Sequence, residues 1–209
     1  MVIRNIKIGD KIGPFANEDG FDIEVLDIIE GGMGIVYIGI LTKYGVIGAM
    51  KTFQDIFINY ESVVESFEQE ALAWINLERH QNIVNAALFD VVDGRPFILL
   101  EFIAPDENNR NTLEHFLNSD LSNSQILDWA IQFCYGMDYA FSKGVSPHRD
   151  IKPNNIMITP DKLLKITDFG LAKVWDNQNL NIEKNHTNPN ELTPFKNDNG
   201  TVMSGTYEW

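Results

Sequence analysis

Positive charge and cysteine are both scarce in this chain of 209 residues. It carries 16 lysines and arginines against 30 aspartates and glutamates, which leaves a net charge of −14. Such a surplus of negative charge repels a phosphate backbone, so we expect no nonspecific binding of nucleic acid. A single cysteine, Cys134, excludes a disulfide within the chain and favours a reducing compartment.

Long apolar runs are missing as well. The richest stretch, residues 96–104, is short and contains Glu101, whereas a membrane-spanning helix needs about 20 apolar residues. Residues 1–7 contain no apolar stretch of the kind found in signal peptides. We therefore expect a cytoplasmic protein that has no membrane partner.

Strand patterns dominate the first hundred residues, and an apolar content of 44% is that of an ordinary globular protein. Runs rich in β-branched and aromatic residues, separated by turn residues, predict strands at residues 21–29, 34–40, 45–53, 86–92 and 97–102. One amphipathic helix, predicted at residues 61–79, interrupts these strands. Its apolar residues, which recur at steps of three and four, are Val64, Phe67, Ala71, Trp74 and Ile75.

The character of the chain changes after residues 105–110, a polar and turn-rich linker. Ser122 followed by Gln125 resembles a capping box and predicts a helix that runs to about residue 143. The apolar residues of this helix at helical spacing are Ile126, Ala130, Phe133, Met137 and Phe141. Two short strands are predicted at residues 156–159 and 163–166, and a long polar loop beyond residue 175.

The order of strands, linker and helix predicts an α+β protein with two lobes. The boundary between the lobes is expected after Ile103, so that residues 1–103 form the first lobe and residues 104–209 the second.

A glycine-rich turn lies between the first two predicted strands, where residues 30–36 read EGGMGIV. Its backbone N–H groups are accessible to a phosphate because few side chains intervene. On the next strand, Lys51 stands among apolar neighbours, where an anion would be its natural partner. Each signal is weak by itself, since a plain glycine hairpin and a solvated strand lysine are both common.

Residues 148–155 carry the most specific signal in the sequence. They read HRDIKPNN, and six of the eight match the catalytic-loop pattern HRDxKPxN of protein kinases. Downstream, residues 168–170 read DFG, the metal-binding motif of that family. Because the glycine-rich turn and Lys51 precede these motifs in the expected order, the chain from near Ile29 to Trp209 resembles the eukaryotic-type protein kinase family.

The resemblance implies a two-lobed fold, with an antiparallel sheet and one helix in the first lobe and a partial helical second lobe. It implies a serine/threonine protein kinase that transfers the γ-phosphoryl group of ATP to a protein substrate with the help of Mg²⁺. Asp150 and Lys152 would be catalytic, and Asn155 and Asp168 would hold the metal ion. The nucleotide contacts that the resemblance implies are Gly31, Gly32, Gly34, Val36, Ala49, Lys51, Glu70, Leu100, Glu101 and Ile103.

The chain departs from the family pattern at four places, one of which is an additional residue at Ser146-Pro147 ahead of His148. Ile29 stands where the first loop glycine belongs, which leaves a pseudokinase-like binding module without transfer activity as the alternative function. Glu70 lies ten residues before His80, one more than usual, so Glu68 remains an alternative partner of Lys51. The APE motif and the helices that follow it are missing, so we expect a C-terminally truncated catalytic domain that is inactive by itself, with those helices in the parent protein.

Overall fold

The computed structural model describes residues 5–16, 20–31, 34–58, 60–145, 148 and 150–169. Its strands are β1 (Lys11–Phe15), β2 (Phe21–Glu30), β3 (Gly34–Leu41), β4 (Val46–Phe53), β5 (Ala86–Val92), β6 (Arg95–Glu101), β7 (Ile156–Ile158) and β8 (Leu164–Ile166). Its α-helices are α1 (Glu61–Ile75) and α2 (Asn123–Ser142), and short 3-10 helices occupy Asp55–Phe57, Leu113–Phe116 and Pro153–Asn155.

Strands β1 to β6 form one antiparallel sheet in the order β1-β2-β3-β4-β6-β5. The predictions for β2 to β6 are confirmed, with ends that differ by no more than two residues. Strand β1 is an addition to the sequence prediction. Its residues Gly13 and Pro14 suppress the usual strand pattern, and both residue types are tolerated at the edge of a sheet, where β1 lies.

Side chains of β1 help to cover the face of the sheet that points away from α1, since β1 and β5, the two edge strands, contact each other. Ile12 and Phe15 are buried there against Ile23, Met50 and Phe97. The rings of Phe15 and Phe97 meet edge to face, with their centroids 5.8 Å apart. Because both faces of the sheet are covered, its central strands carry apolar residues on both sides.

Helix α1 is shorter than predicted and differs by one residue in the side that it buries. It ends at Ile75 rather than at residue 79, because Glu78 has a left-handed backbone (φ 58°) that a continuing helix does not allow. Val63 takes the buried position predicted for Val64. The buried residues of α1 are Val63, Phe67, Ala71 and Trp74.

Helix α2 begins at the predicted cap, where the Ser122 hydroxyl accepts a hydrogen bond from the Gln125 N–H at 3.2 Å. The apolar residues of α2 cover a wide arc, so spacing alone does not select the side that is buried. The indole N–H of Trp129 donates to the Lys162 carbonyl at 2.8 Å and fixes the rotation of the helix. Trp129, Gly136, Met137 and Ala140 are buried, whereas Ile126, Ala130 and Phe141 are exposed.

Strands β7 and β8 pair as a separate antiparallel ribbon beside α2, close to their predicted bounds. The predicted linker is a tight loop in which the Asp106 carboxylate binds the guanidinium of Arg110 at 2.9 Å. Hydrogen bonding to Arg110 holds the pKa of Asp106 well below its usual range. Among the described residues, no helix is long and apolar enough to cross a membrane. The lobe boundary after residue 103 stays a prediction.

Asn82 joins the loop between α1 and β5 to the second lobe. It is fully buried, and its side-chain amide donates to the Leu164 carbonyl at 3.0 Å and to the Gln132 side-chain oxygen at 3.2 Å. Its backbone carbonyl accepts a hydrogen bond from the Ile166 N–H at 2.9 Å. Gly136 of α2 permits this close approach, because a Cβ there would lie 2.8 Å from the Asn82 carbonyl oxygen.

We expect Asn82→Asp to lower the free energy of unfolding by about 3 kcal/mol, because a buried carboxylate would face two acceptor oxygens. Urea denaturation followed by tryptophan fluorescence measures the change. Asn123→Asp makes the same chemical change at the exposed first turn of α2, where negative charge is favourable, and should not destabilise the protein. Equal stability of Asn82→Asp and the wild type would show that the Asn82 hydrogen bonds to Leu164 and Gln132 do not stabilise the protein.

Candidate active site

One face of the sheet lines a cleft between the lobes. Residues directly opposite each other in an antiparallel sheet share a face, and the register aligns Ile29 with Val36 and Val36 with Lys51. Ala49 and Leu100 are aligned with each other and lie on the same face by strand alternation. This face therefore presents a row of aliphatic side chains beside one ammonium group, which suits a flat apolar ring attached to an anion.

The register also gives Ile29 a defined place. Strand β2 has a bulge between Val25 and Asp27 and continues to Glu30, so that Ile29 is still paired with β3 and faces the cleft. The Ile29 side chain is 55% exposed, as expected for a residue that borders an open cleft. Ile29 therefore extends the aliphatic row, and the glycine turn begins only after Glu30.

Gly31 and Gly34, at the two ends of the glycine turn, bind each other, and Gly34 lies close to β4. The Gly31 N–H donates to the Gly34 carbonyl at 2.8 Å. A Cβ at Gly34 would lie 3.2 Å from the Thr52 carbonyl oxygen and 3.7 Å from the side chain of Lys51, so a larger residue would press on the strand that carries this lysine. Gly32, a predicted nucleotide contact, lies outside the described residues.

Lys51 forms an ion pair across the cleft with Asp168. The Lys51 Nζ lies 2.5 Å from the Asp168 Oδ2, and the two side chains are only 16% and 21% exposed. Asp168 follows β8 with a left-handed backbone (φ 65°). The neighbouring Phe169 is buried between Trp74 of α1 and His148, with ring centroids 6.3 and 4.9 Å away. This burial anchors the segment that presents the Asp168 carboxylate to Lys51.

Helix α1 offers two glutamates as partners of Lys51, and their burial separates them. Glu70 is half-buried and lies at helical spacing between Phe67 and Trp74, both of which pack against the core. Glu68 is exposed. The structure therefore favours Glu70 over Glu68 as the carboxylate on the cleft side of the helix, and its pairing with Lys51 stays a prediction.

The catalytic-loop residues form one hydrogen-bonded unit. The side-chain amide of Asn155 donates to both the backbone carbonyl and the Oδ2 of Asp150, each at 2.8 Å. The Lys152 Nζ lies 3.3 Å from the same Oδ2. The His148 ring lies beneath them, with its Nε2 2.8 Å from the Thr167 carbonyl oxygen and its Nδ1 accepting the Asp150 N–H at 3.4 Å. These bonds hold the Asp150 carboxylate in one orientation.

Asn155 and Asp168 have the chemistry required of metal ligands. The Thr167 N–H donates to the Asn155 carbonyl at 3.0 Å, which ties the residue before Asp168 to the 3-10 helix that carries Asn155. One amide oxygen and one carboxylate are hard oxygen ligands, and Mg²⁺ is commonly held by one or two such side chains together with phosphate oxygens. The two residues therefore fit a Mg²⁺ ion that arrives with a nucleotide.

The segment after β6 connects the two lobes. The Glu101 carboxylate pairs with Lys165 of β8 at 3.1 Å. Ile103 is buried, and its carbonyl accepts a hydrogen bond from the Asn111 side chain at 3.1 Å. The sequence predicted Glu101 and Ile103 as nucleotide contacts, but it did not predict Lys165 and Asn111, the residues that bind them. A lysine inside a predicted apolar strand was the available signal for Lys165, whereas Asn111 stands among polar residues and gives none.

Comparison with known proteins agrees with this geometry. The family model described as protein kinase domain matches residues 24–194. A probable serine/threonine-protein kinase PknB of Lactococcus lactis subsp. lactis is 30% identical, over 88% of this chain and 29% of its own length. The serine/threonine-protein kinase Pkn1 of Myxococcus xanthus is 32% identical, over 70% of this chain and 21% of its own length. The chain thus spans less than a third of these relatives.

Solved structures agree with the fold. A crystal structure of the M. tuberculosis PknI kinase domain superposes with a TM-score of 0.63 at 18% sequence identity. The alignment covers 79% of this chain and 62% of that domain. At this level of identity, the likeness establishes the two-lobed fold and nothing finer.

We expect the free energy of unfolding to fall as the pH drops from about 7.5 to about 5.5. Burial lowers the pKa of His148 below its ordinary value, so the unfolded chain binds the proton first. The stabilisation by neutral His148 is complete above the ordinary histidine pKa of about 6.5 and is lost as the pH falls through the lowered value.

Urea denaturation at several pH values measures this dependence. His148→Gln should reduce it, and the exposed His115→Gln should leave it unchanged. Burial also lowers the pKa of His80, which accounts for the part of the dependence that remains in His148→Gln. A pH dependence that is the same in His148→Gln and the wild type would contradict the assignment to His148.

Proposed function

The chain belongs to the protein kinase family, and we propose that it transfers the γ-phosphoryl group of ATP to serine or threonine hydroxyls of a protein substrate. Members of this family use ATP with a divalent metal ion and act on proteins. The observation that carries the proposal is the ion pair between Lys51 of the first lobe and Asp168 of the second. It brings a phosphate-binding cation and a metal-binding carboxylate to opposite sides of one cleft.

In this proposal, the first lobe binds and orients the nucleotide. The adenine ring lies against Ile29, Val36 and Ala49, and the Lys51 ammonium binds the phosphates nearest the ribose. The backbone N–H groups of the glycine turn approach the outer phosphates, because glycine leaves no side chain in the way. Asn155 and Asp168 would hold a Mg²⁺ ion, which would supply the positive charge that offsets the charge on the transferred group.

The second lobe acts on the hydroxyl of the substrate. The Asp150 carboxylate orients this hydroxyl and accepts its proton as the new oxygen–phosphorus bond forms and the bond to ADP breaks. Asn155 and Lys152 fix the Asp150 carboxylate through the 2.8 and 3.3 Å contacts to its Oδ2. A lysine two residues after the catalytic aspartate is typical of serine/threonine kinases, and the curated relatives carry that name.

The alternative function is a kinase-like binding module without transfer activity, and Ile29 was the feature that favoured it. The pairing of Ile29 with Val36 makes it part of the aliphatic row instead of an obstacle in the turn. Lys51, Asp150, Asn155 and Asp168 supply the groups that transfer requires, so the described residues favour the enzyme.

We expect Asp150→Asn to lower turnover by about 10²–10⁴-fold while leaving nucleotide affinity nearly unchanged, because the amide cannot take the proton. Transfer of radiolabelled γ-phosphate to a serine- and threonine-containing protein measures turnover, and a fluorescent ATP analogue measures affinity. The assay is run on the 209-residue chain and on the longest protein that contains it.

Asp161→Asn is the matched control, since Asp161 is exposed and lies in the turn between β7 and β8. It should retain the turnover of the wild type. Full turnover of Asp150→Asn would refute the role of Asp150. If the longest protein that contains the chain binds nucleotide without any transfer, that result would support the binding module instead.

A further inference from the structure

The glycine turn has a contact that the nucleotide-binding role does not explain. The side-chain amide of Gln54, the first residue after β4, donates a hydrogen bond to the Gly31 carbonyl at 2.7 Å. This bond reaches from the end of one strand to the start of the turn between two others. It joins Gly31, at the start of the glycine turn, to the end of the strand that carries Lys51.

Both chain neighbours of Gln54 are held by one buried arginine. Arg95, the first residue of β6, is 6% exposed, and its guanidinium donates to the Phe53 carbonyl at 3.0 Å. The same guanidinium forms an ion pair with the Asp55 carboxylate. Gln54 therefore lies between two anchored residues, which limits the positions that its side chain can reach.

The turn between β5 and β6 explains why Arg95 is in place. Asp93 and Gly94 both have a left-handed backbone, with φ of 51° and 77°, which is the geometry of a tight two-residue hairpin turn. The following residue, Arg95, pairs with Val92 at the start of β6. The guanidinium is thus supplied by rigid sheet structure and not by a mobile loop.

We propose that Gln54 is a positioning residue for nucleotide binding, which holds the glycine turn through the Gly31 carbonyl while Arg95 fixes the strand end that carries Gln54. This inference rests on the proposed function, because it assigns the turn to the phosphates of ATP. A turn rich in glycine has many accessible conformations, and ordering it on binding lowers affinity. A turn that is already held loses less conformational freedom when the nucleotide arrives.

The direction of this hydrogen bond is also important, because Gln54 donates and the Gly31 carbonyl accepts. An amide N–H that binds the Gly31 carbonyl keeps this oxygen from turning towards an anion. The Gln54 bond therefore keeps the acceptor at Gly31 occupied, so that this oxygen does not oppose the binding of phosphate.

Gln54→Met tests the proposal, because it keeps the length of the side chain and removes the donor without adding charge. Titration with a fluorescent, non-hydrolysable ATP analogue and Mg²⁺ should show binding about 3- to 10-fold weaker than in the wild type, as expected for one hydrogen bond. The thermal unfolding midpoint should stay at the wild-type value, since the bond is exposed to solvent. Hydrogen exchange of the peptide that contains Gly31 should be faster without nucleotide.

Gln54→Glu is a second variant, which places a carboxylate against the Gly31 carbonyl and should weaken binding at least as much as Gln54→Met. Gln81→Glu makes the same change in charge at an exposed glutamine of the loop between α1 and β5, and should bind nucleotide like the wild type. If Gln54→Met binds the analogue as tightly as the wild type, the proposal is wrong. A loss of affinity that is matched by a lowered unfolding midpoint would also overturn it, since that result indicates a merely structural role.

A double-mutant cycle tests the part assigned to Arg95. Arg95→Lys keeps the charge but cannot bind the Phe53 carbonyl and the Asp55 carboxylate together. As a single substitution, it should weaken nucleotide binding. In Gln54→Met it should have little further effect on binding, because the bond that Arg95 supports is already absent. Effects that simply multiply would show that Arg95 acts independently of Gln54.

The outcome for the wild type separates this inference from the proposed function. If the wild type does not bind the analogue at all, the proposed function fails and the inference fails with it. If the wild type binds and Gln54→Met binds equally well, only the positioning role of Gln54 is lost.

Discussion

The amide of Asn82 holds the two halves of the active site at a fixed separation. It donates to the Leu164 carbonyl and to Gln132, and β8 leads from Leu164 to Asp168 within four residues. In a buried position these bonds are not exchanged for bonds to water, so they set the distance between the loop before β5 and β8. The same loop continues into the sheet that carries Lys51. The 2.5 Å contact between Lys51 and Asp168 therefore depends on a hydrogen bond made elsewhere in the molecule.

The candidate site contains lysines, although the net charge of the chain is strongly negative. A net charge of −14 would keep a polyphosphate away, so the cleft must supply positive charge locally. Lys51 and Lys152 supply it, and each is held by a carboxylate that has its own part in the proposed chemistry, Asp168 and Asp150 respectively. The charges are thus in position before a nucleotide arrives, which is the condition for strong electrostatic stabilisation of a reaction.

Sequence patterns predicted most of the elements, because helices and strands have local periods. They were least successful where burial was decided by distant parts of the chain. Strand β1 was missed since Gly13 and Pro14 hide its pattern and its pairing with β2 is a contact between separate segments of the chain. The buried side of α2 was not predicted, since Trp129 is held by the Lys162 carbonyl, far along the chain. The face that Ile29 occupies could not be predicted for the same reason, because a bulge in β2 sets it.

The sequence by itself determined the chemical groups of the site and their order along the chain. These groups lie in local patterns, namely the HRDIKPNN and DFG motifs, the glycine turn and the strand that carries Lys51. Such patterns can be recognised from the sequence alone. Only the tertiary structure left Glu70 half-buried and Glu68 exposed, turned Ile29 towards the cleft, and brought Gln54 to Gly31 and Asn82 to Leu164. These outcomes depend on strand register, on burial and on hydrogen bonds between residues far apart in the chain. No local spacing encodes such contacts, because they form only when separate elements pack against one another.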